Sequence, residues 1–197
     1  MASPQDVFAE YLGVVWGIVG TFHDAAGGFA RARLDLVEQQ KRLIVEFAET
    51  SPECASIDYL DARRFAYADA PPTDPNMRLF HESTQAEFKE RTGPGGRNHI
   101  FIGNMSLIAI YQYWDDHYRG KLAIALNKRT DDVKADIFGD LRQLRISIVH
   151  HGGIALPRVA EARILRWFAT GDLILIEDAK LQTIEIELRK VPALLGF

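Results

Sequence analysis

Apolar residues recur at helical spacing along most of this chain. After Ser3-Pro4, a pair typical of a helix start, they lie three or four positions apart as far as residue 22. Gly27-Gly28 predicts a turn or kink, because two adjacent glycines weaken a helix. Apolar positions in residues 36–47 predict a second helix, which should end before Ser51-Pro52.

The second half of the chain carries the most regular pattern. Residues 100–119 are apolar nearly all round a helix, which predicts a central, buried element. The next helix should be capped by Thr130 or Asp131, with an acidic first turn that suits the helix dipole. We expect this helix to end at Gly152-Gly153. Its continuous apolar stripe consists of Val133, Ile137, Leu141, Leu144 and Ile148.

The remaining segments complete a prediction of a mainly α fold. Residues 157–168 predict another helix, and residues 172–176 predict a short strand, a β element near the C-terminus. The tail from residue 181 fits either a helix or an alternating strand, and we favour a helix. Residues 53–98 are a loop-rich insertion, with a short strand or helix near 57–67 and loops at 71–75 and 93–96. We therefore expect one helical domain over residues 1–197, with residues 170–197 as a C-terminal appendage.

Composition places the chain among ordinary globular proteins. It has 197 residues, of which 47% are hydrophobic and 25% charged, enough to bury a core. The net charge of −4 argues against broad, sequence-independent nucleic-acid binding but leaves room for a local basic site. The single cysteine, Cys54, excludes an internal disulfide framework. We find no signal-peptide pattern and no apolar run long enough for a membrane, so we expect a cytoplasmic protein.

Candidate chemistry lies at the end of the helix that carries the apolar stripe. Arg145 stands five residues before His150, and His151 follows directly. Arginine can clamp a phosphate with a fork of N–H donors, and histidine can move a proton near neutral pH. Together they could handle a phosphodiester without a metal. On an ideal helix the two side chains lie roughly 140° apart, so they do not share a face.

Structural roles stay open for the same residues. Arg145 lies within the apolar sector of its helix, where an unpaired cation is costly, so a salt bridge to Asp115 or Asp116 is an alternative. His150 could instead interact with the carbonyl groups at the helix C-terminus. His151 is equally placed for either role.

Two segments carry a resemblance to a known family. The stretch Leu141-Arg-Gln-Leu-Arg145-Ile-Ser-Ile-Val-His150-His-Gly-Gly resembles the signature of the HEPN superfamily, an arginine followed four to six residues later by a histidine near a helix end. The stretch Tyr113-Trp-Asp115-Asp-His-Tyr-Arg119 is similar to an aromatic–acid–arginine segment on the preceding helix of some bacterial members. The resemblance covers residues 100–155 and implies an up-and-down helical bundle.

The HEPN resemblance implies an activity. Many members are metal-independent endoribonucleases, active where two subunits bring their Arg–His helices together. It therefore implies a homodimer that cleaves RNA without a cofactor, in which Arg145 stabilises the transition-state phosphate and His150 transfers protons. Attack by the ribose 2′-hydroxyl would leave a cyclic phosphate and a 5′-hydroxyl, in a toxin or antiviral defence setting. The supporting residues are Asp115, Arg119, Arg142, Ser147 and His151.

Two positions depart from the family pattern. Ile146 follows the arginine directly, where members commonly have a polar residue, often Asn. Gly152 stands where toxins modified by a nucleotidyltransferase antitoxin carry a tyrosine. Because some members have lost catalysis, the alternative is an inactive HEPN-fold domain that binds RNA or a protein partner, such as an antitoxin.

Other candidate features are weaker. The loop from Gly93 to Arg97 could cradle an anion, but it lacks the Lys-Ser/Thr of a phosphate-binding loop, so we favour a plain loop. The 6 histidines show no metal-type spacing with Cys, Asp or Glu, and we predict no metal. We assign Tyr111, Tyr113 and Trp114 to the core rather than to a binding platform.

Overall fold

The computed structural model describes residues 2–71 and 73–197, and Pro72 of the predicted loop lies outside them. Helices account for 67% of the structure and strands for 7%, which confirms the prediction of a mainly α fold. Within these ranges, none of the helices combines the length and apolar character needed to cross a membrane. The helices are α1 (Pro4–Thr50), α2 (Ile57–Asp61), α3 (Gln85–Thr92), α4 (Arg97–Tyr113), α5 (Arg119–Ala125), α6 (Asp136–His150), α7 (Pro157–Ala160), α8 (Asp178–Leu188) and α9 (Val191–Leu195). The strands are β1 (Arg64–Ala68) and β2 (Leu79–Thr84), with 3₁₀ turns at Pro52–Cys54 and Thr130–Asp132 and a π-helical segment at Trp114–Tyr118.

The first helix is continuous where the sequence predicts two. α1 runs through Gly27-Gly28, so the prediction of a turn between two helices is wrong. A Cβ added at either glycine would meet no atom within 4 Å, so neither glycine marks a close approach or a special backbone conformation. Their cost of about 1 kcal/mol each relative to alanine is too small to break this long helix. The end of α1 before Ser51-Pro52 is as predicted.

The contacts of the chain divide it into unit 1, residues 1–25 with 100–197, and unit 2, residues 26–99. The expectation of a single domain stays a prediction. Unit 1 has a continuous apolar core in which Trp114 lies parallel to Phe138, with ring centroids 3.6 Å apart. The predicted stripe is confirmed on α6, where Ile137, Leu141 and Leu144 are buried and Ile148 packs against the core. Its first member, Val133, is also buried but precedes the helix.

The segment at residues 172–176 is not a strand of a sheet, so that prediction is wrong. It makes only an isolated bridge to the loop after α6. Asn104 of α4 takes the place of a partner strand, since its amide donates to the Ile174 carbonyl (3.1 Å) and its carbonyl accepts from the Ile176 N–H (3.3 Å). Gly103 permits this approach, because a Cβ there would overlap the Ile176 carbonyl group.

The helix predicted at residues 157–168 is shorter in the structure, where α7 ends at Ala160. The buried Asp140 of α6 explains the difference. Its carboxylate accepts from the backbone N–H groups of Arg163 (3.1 Å), Ile164 (2.7 Å) and Leu165 (2.9 Å). Three successive N–H groups directed at one side chain cannot also serve a helix, so the chain leaves α7 as an extended loop.

The start of α6 also differs from the prediction. Thr130 and Asp131 lie in a separate 3₁₀ turn and do not cap α6. The helix begins at Asp136 after Ala135, which has no side-chain oxygen to cap it. The first turn of α6 is acidic through Asp136, although the helix begins later than the prediction placed it. The tail is helical, as favoured, in α8 and α9.

Unit 2 contains the hairpin of β1 and β2, which pair antiparallel. The β element therefore lies in the insertion and not near the C-terminus, which corrects the prediction. The short strand or helix expected near residues 57–67 is present as α2 and β1. Phe65 of the hairpin stacks on Phe88 of α3 at 4.0 Å between ring centroids. Thr84 and Glu87 form a reciprocal capping box at the start of α3.

Polar side chains occupy the interior of unit 2 beside this small apolar layer. The buried Gln40 of α1 donates to Asp61 Oδ1 (2.8 Å) and to Gln85 Oε1 (2.8 Å). Lys89 of α3 donates to Gln40 Oε1 (3.2 Å) and forms an ion pair with Asp61 at 2.5 Å. We call these four residues the Gln40 network. It joins α1, α2 and α3, and each of its four side chains has a hydrogen-bond partner within the network.

Candidate functional site

Arg145 occupies the edge of the buried face of α6. Leu141 and Leu144, which precede it on the helix, are fully buried, whereas Arg145 is half-buried. Its Nε is enclosed by protein and has no hydrogen-bond partner. Among the described residues, no carboxylate lies within 4.0 Å of its guanidinium, in contrast to the paired Arg119 and Arg163. Arg33 has an enclosed Nε of the same kind without a partner. Arg145 is therefore a partly enclosed cation with unused donors.

The alternative salt bridge to Asp115 or Asp116 is wrong. Asp115 pairs with Arg119, with Oδ1 and Nη1 3.4 Å apart, as the i,i+4 spacing predicts. Asp116 accepts a hydrogen bond from Gln112. Neither carboxylate reaches Arg145, and Asp115 does not orient it.

The two histidines lie at the C-terminal end of α6. His150 is the last helical residue and His151 the C-cap, and both side chains are exposed to solvent. The chain turns after them at Gly152 and Gly153, whose φ angles of 61° and 82° lie in the left-handed region that glycine adopts freely. The predicted helix end is confirmed, and the histidines stand at the rim of a tight turn.

Ser147 has a structural position instead of a place beside the arginine and the histidines. It is fully buried, and its Oγ accepts from the Leu156 N–H (3.2 Å). Its carbonyl accepts from the N–H groups of both His151 and Gly153 (3.1 Å each). Ser147 therefore fixes the turn that carries the histidines, and its side chain is not free to contact a ligand.

Three of the other predicted supporting residues lie together in a cleft of about 790 Å³, which we call the α4–α6 cleft. Asp115 and Arg119 contribute from the π-helical segment and α5, and Arg142 contributes from α6. Arg145 and His150 do not line this cleft. The predicted site is thus divided in the structure between the end of α6 and the α4–α6 cleft.

The wall of the α4–α6 cleft contains features that the sequence analysis missed. Tyr111 lines it, and burial together with the neighbouring Asp115 carboxylate raises the pKa of this phenol above its ordinary value. Trp114–Tyr118 is π-helical, a conformation found often at functional sites. We assigned Tyr111 and Trp114 to the core, and both are indeed buried, whereas Tyr113 is half-exposed. Lys134 also lines the cleft and carried no recognisable signal.

The remaining candidate features are the glycine-rich loop after α3 and a metal site. The Gly93 N–H donates to the Glu90 carbonyl and the Gly96 N–H to the Gly93 carbonyl, so this loop closes the end of α3. Over residues 2–71 and 73–197, no three His, Cys, Asp or Glu side chains converge in a way that could hold a metal ion.

The chain matches no family model, no curated protein and no solved structure.

Proposed function

We propose that this chain is a metal-independent endoribonuclease of the HEPN type that acts as a dimer in the cytoplasm. The observation that carries the proposal is the guanidinium of Arg145, enclosed at Nε and without a partner in the described residues. A half-buried cation without a counter-ion has donors to spare, so an anion that binds there would be stabilised. A phosphodiester fits this need, because its oxygens match the donor fork of arginine.

The reaction follows from what a phosphodiester needs. The ribose 2′-hydroxyl loses a proton and attacks the adjacent phosphorus, and the bond to the 5′-oxygen of the next nucleotide breaks as that oxygen gains a proton. The products are a 2′,3′-cyclic phosphate and a 5′-hydroxyl. Arg145 offsets the negative charge that builds on the phosphate oxygens. His150, which is exposed at the end of α6, moves the proton.

Two copies are needed because Arg145 and His150 lie on different faces of the same helix. Over five residues a helix turns by roughly 140° beyond a full turn and rises about 7.5 Å, so Arg145 and His150 of one copy face different directions. A two-fold axis beside the end of α6 brings the arginine of one copy towards the histidine of the other. Three exposed apolar side chains near the end of α6 support an interface there: Val149, Ile154 and Leu173.

The test is RNA cleavage in the presence of EDTA. We expect the wild type to produce cyclic phosphate ends, and Arg145→Ala and His150→Ala each to lose about 10²–10⁴-fold in rate. His151→Ala shows which of the two exposed histidines acts, and Arg166→Ala, exposed and without an ion pair among the described residues, is the control for the arginine. Full activity in His150→Ala, with loss in His151→Ala, would reassign the proton transfer. Equal activity in all variants would end the proposal.

A second candidate is an inactive HEPN-fold domain that binds RNA or a protein partner. Ile146 favours it, because a half-buried aliphatic side chain after the arginine cannot hydrogen-bond the histidine or a phosphate. The discriminating variant is Ile146→Asn. In a slow enzyme it should raise the cleavage rate, whereas in an inactive binding domain RNA binding without cleavage should persist. Growth arrest on expression of the wild type, relieved by Arg145→Ala, would support a toxin or antiviral defence role.

A further inference from the structure

The charged groups that line the α4–α6 cleft are not all paired with one another, and those without a partner are available to a second ligand. Three carboxylates and three cations line it, so its formal charges cancel. The carboxylates are already paired: Asp115 with Arg119 (3.4 Å), Asp131 with Arg119 and Arg129 (3.9 and 3.8 Å), and Asp136 with Arg163 (2.9 Å).

Two of the cations in this wall have no such partner. Lys134 and Arg142 make no ion pair and no side-chain hydrogen bond within the part of the chain that the structure describes. Both side chains are exposed on the walls of the cleft. The groups left over for a ligand are therefore positive, although the chain as a whole carries a net charge of −4.

The volume and the lining of the cleft suit a small organic molecule. Its volume of about 790 Å³ falls within the range of ligand pockets, roughly 300–1,000 Å³. Trp114, Phe138 and Val133 form an apolar floor, and Leu194 of α9 adds an exposed apolar side chain at the rim. Tyr111 adds a neutral phenol to the wall, and burial together with the neighbouring Asp115 carboxylate raises its pKa further above the neutral range.

We propose that the α4–α6 cleft binds a small phosphorylated molecule, with Lys134 and Arg142 holding the phosphate and the apolar floor contacting the organic part. Arginine supplies a planar fork and lysine a point charge, the two commonest ways in which proteins hold a phosphate. The site is separate from the end of α6, since neither Arg145 nor His150 lines the cleft. The π-helical segment that carries Asp115 forms one wall of the cleft. Arg119 stays occupied by its ion pairs with Asp115 and Asp131.

The test is isothermal titration calorimetry on the full chain with adenosine 5′-monophosphate and ribose 5-phosphate, and with adenosine as the uncharged probe. We expect both phosphates to bind and adenosine not to bind. The double variant Lys134→Gln/Arg142→Gln should weaken binding by about tenfold or more, because each hydrogen bond to a charged group is worth at least about that factor. Both side chains are exposed, so this variant should fold as the wild type does, which a thermal melt checks.

The control is Lys128→Gln/Arg158→Gln, which removes the same charge from exposed positions outside the cleft and should change binding less than twofold. The proposal is wrong if neither phosphate binds at millimolar concentration, or if both double variants weaken binding equally. It is also wrong if only single-stranded RNA, and no small phosphate, depends on Lys134 and Arg142. The assay uses no cleavage step, so its failure and a failure of the ribonuclease proposal are distinguishable.

Discussion

The two units use different interactions in their interiors. In unit 1, the buried residues form one continuous apolar cluster with stacked aromatic rings such as Trp114 on Phe138. In unit 2, only Leu36, Leu60 and Phe88 are buried apolar side chains in the described residues, and as many buried residues are polar: Gln40, Arg91 and Thr92.

The two interiors should respond differently to substitutions. Apolar burial is nondirectional and accumulates with area, so a large cluster resists local opening. A polar network contributes through satisfied partners, and it loses most when one partner is removed. We therefore expect unit 1 to respond to changes of volume and unit 2 to changes of hydrogen bonding and charge. Both proposed sites lie in unit 1, on the more strongly packed scaffold.

The largest expected effect is a loss of volume in unit 1. Leu141→Ala should lower the free energy of unfolding by about 3–5 kcal/mol, because the tightly packed cluster around α6 cannot close the cavity. Leu60→Ala, the same change at a buried position of unit 2, should cost about 2 kcal/mol. Denaturant unfolding measures both. Equal losses would show that the apolar layer of unit 2 is as rigid as the core of unit 1.

The next effect concerns the Gln40 network. Gln40→Ala removes hydrogen bonds to Asp61, Gln85 and Lys89, and leaving buried groups unsatisfied should cost about 1–3 kcal/mol. The exposed neighbour Gln39→Ala is the matched control and should have almost no effect. Hydrogen exchange should show faster opening in residues 26–99 with no change in the core of unit 1. A loss of protection spread evenly over the chain would contradict the division.

A smaller effect is expected on acidification. Partial burial raises the pKa of Asp61, but the hydrogen bonds from Lys89 and Gln40 and the charge of Lys89 outweigh it, so the pKa lies below its ordinary value of 3.8. A depressed pKa contributes stability at neutral pH that is lost as the pH falls from about 4 through the folded pKa. The protection factors of the amides in residues 26–99, which compare the observed exchange rate with the intrinsic rate at the same pH, should therefore fall in this window. Asp61→Asn should remove that acid dependence, and an unchanged profile in the variant would exclude Asp61 as its source.

The smallest effect is a gain. Gly27→Ala or Gly28→Ala should stabilise the chain by about 0.5–1 kcal/mol, because both glycines are helical and an added Cβ meets no neighbouring atom. The change lies in the unit 2 part of α1, so added protection should appear there first. Gly103→Ala is the contrasting control, since its Cβ would overlap the Ile176 carbonyl and should destabilise unit 1.

Much of the helical content was predictable because its signal is local. The stripe on α6, the glycines after His150 and the tail helices follow from spacing that neighbouring residues impose on one another. The errors share a different cause. The missing strand at residues 172–176 and the early end of α7 depend on Asn104 and Asp140, polar side chains that bind backbone groups 70–72 and 23–25 positions away.

The candidate sites divide in the same way. The position of Arg145 and His150 near a helix end was readable from the sequence, whereas the enclosed and unpartnered Nε of Arg145 was not. Arg142 was readable as a supporting residue, but the sequence gave no signal that it lines one cleft with Tyr111 and Lys134, because the three belong to separate elements. Asp115 and Arg119 were readable as an i,i+4 pair but not as part of a cleft.

The mainly α class, the apolar faces of the helices and the histidine-bearing end of α6 follow from local sequence patterns. Helical periodicity, glycine at a left-handed turn and the chemistry of arginine and histidine act within a few residues and need no knowledge of the rest of the chain. The pairing of charges, the enclosure of donors and the position of a cleft are set by the folded chain. These depend on distances between residues far apart in the chain, and packing sets those distances once the apolar faces have met.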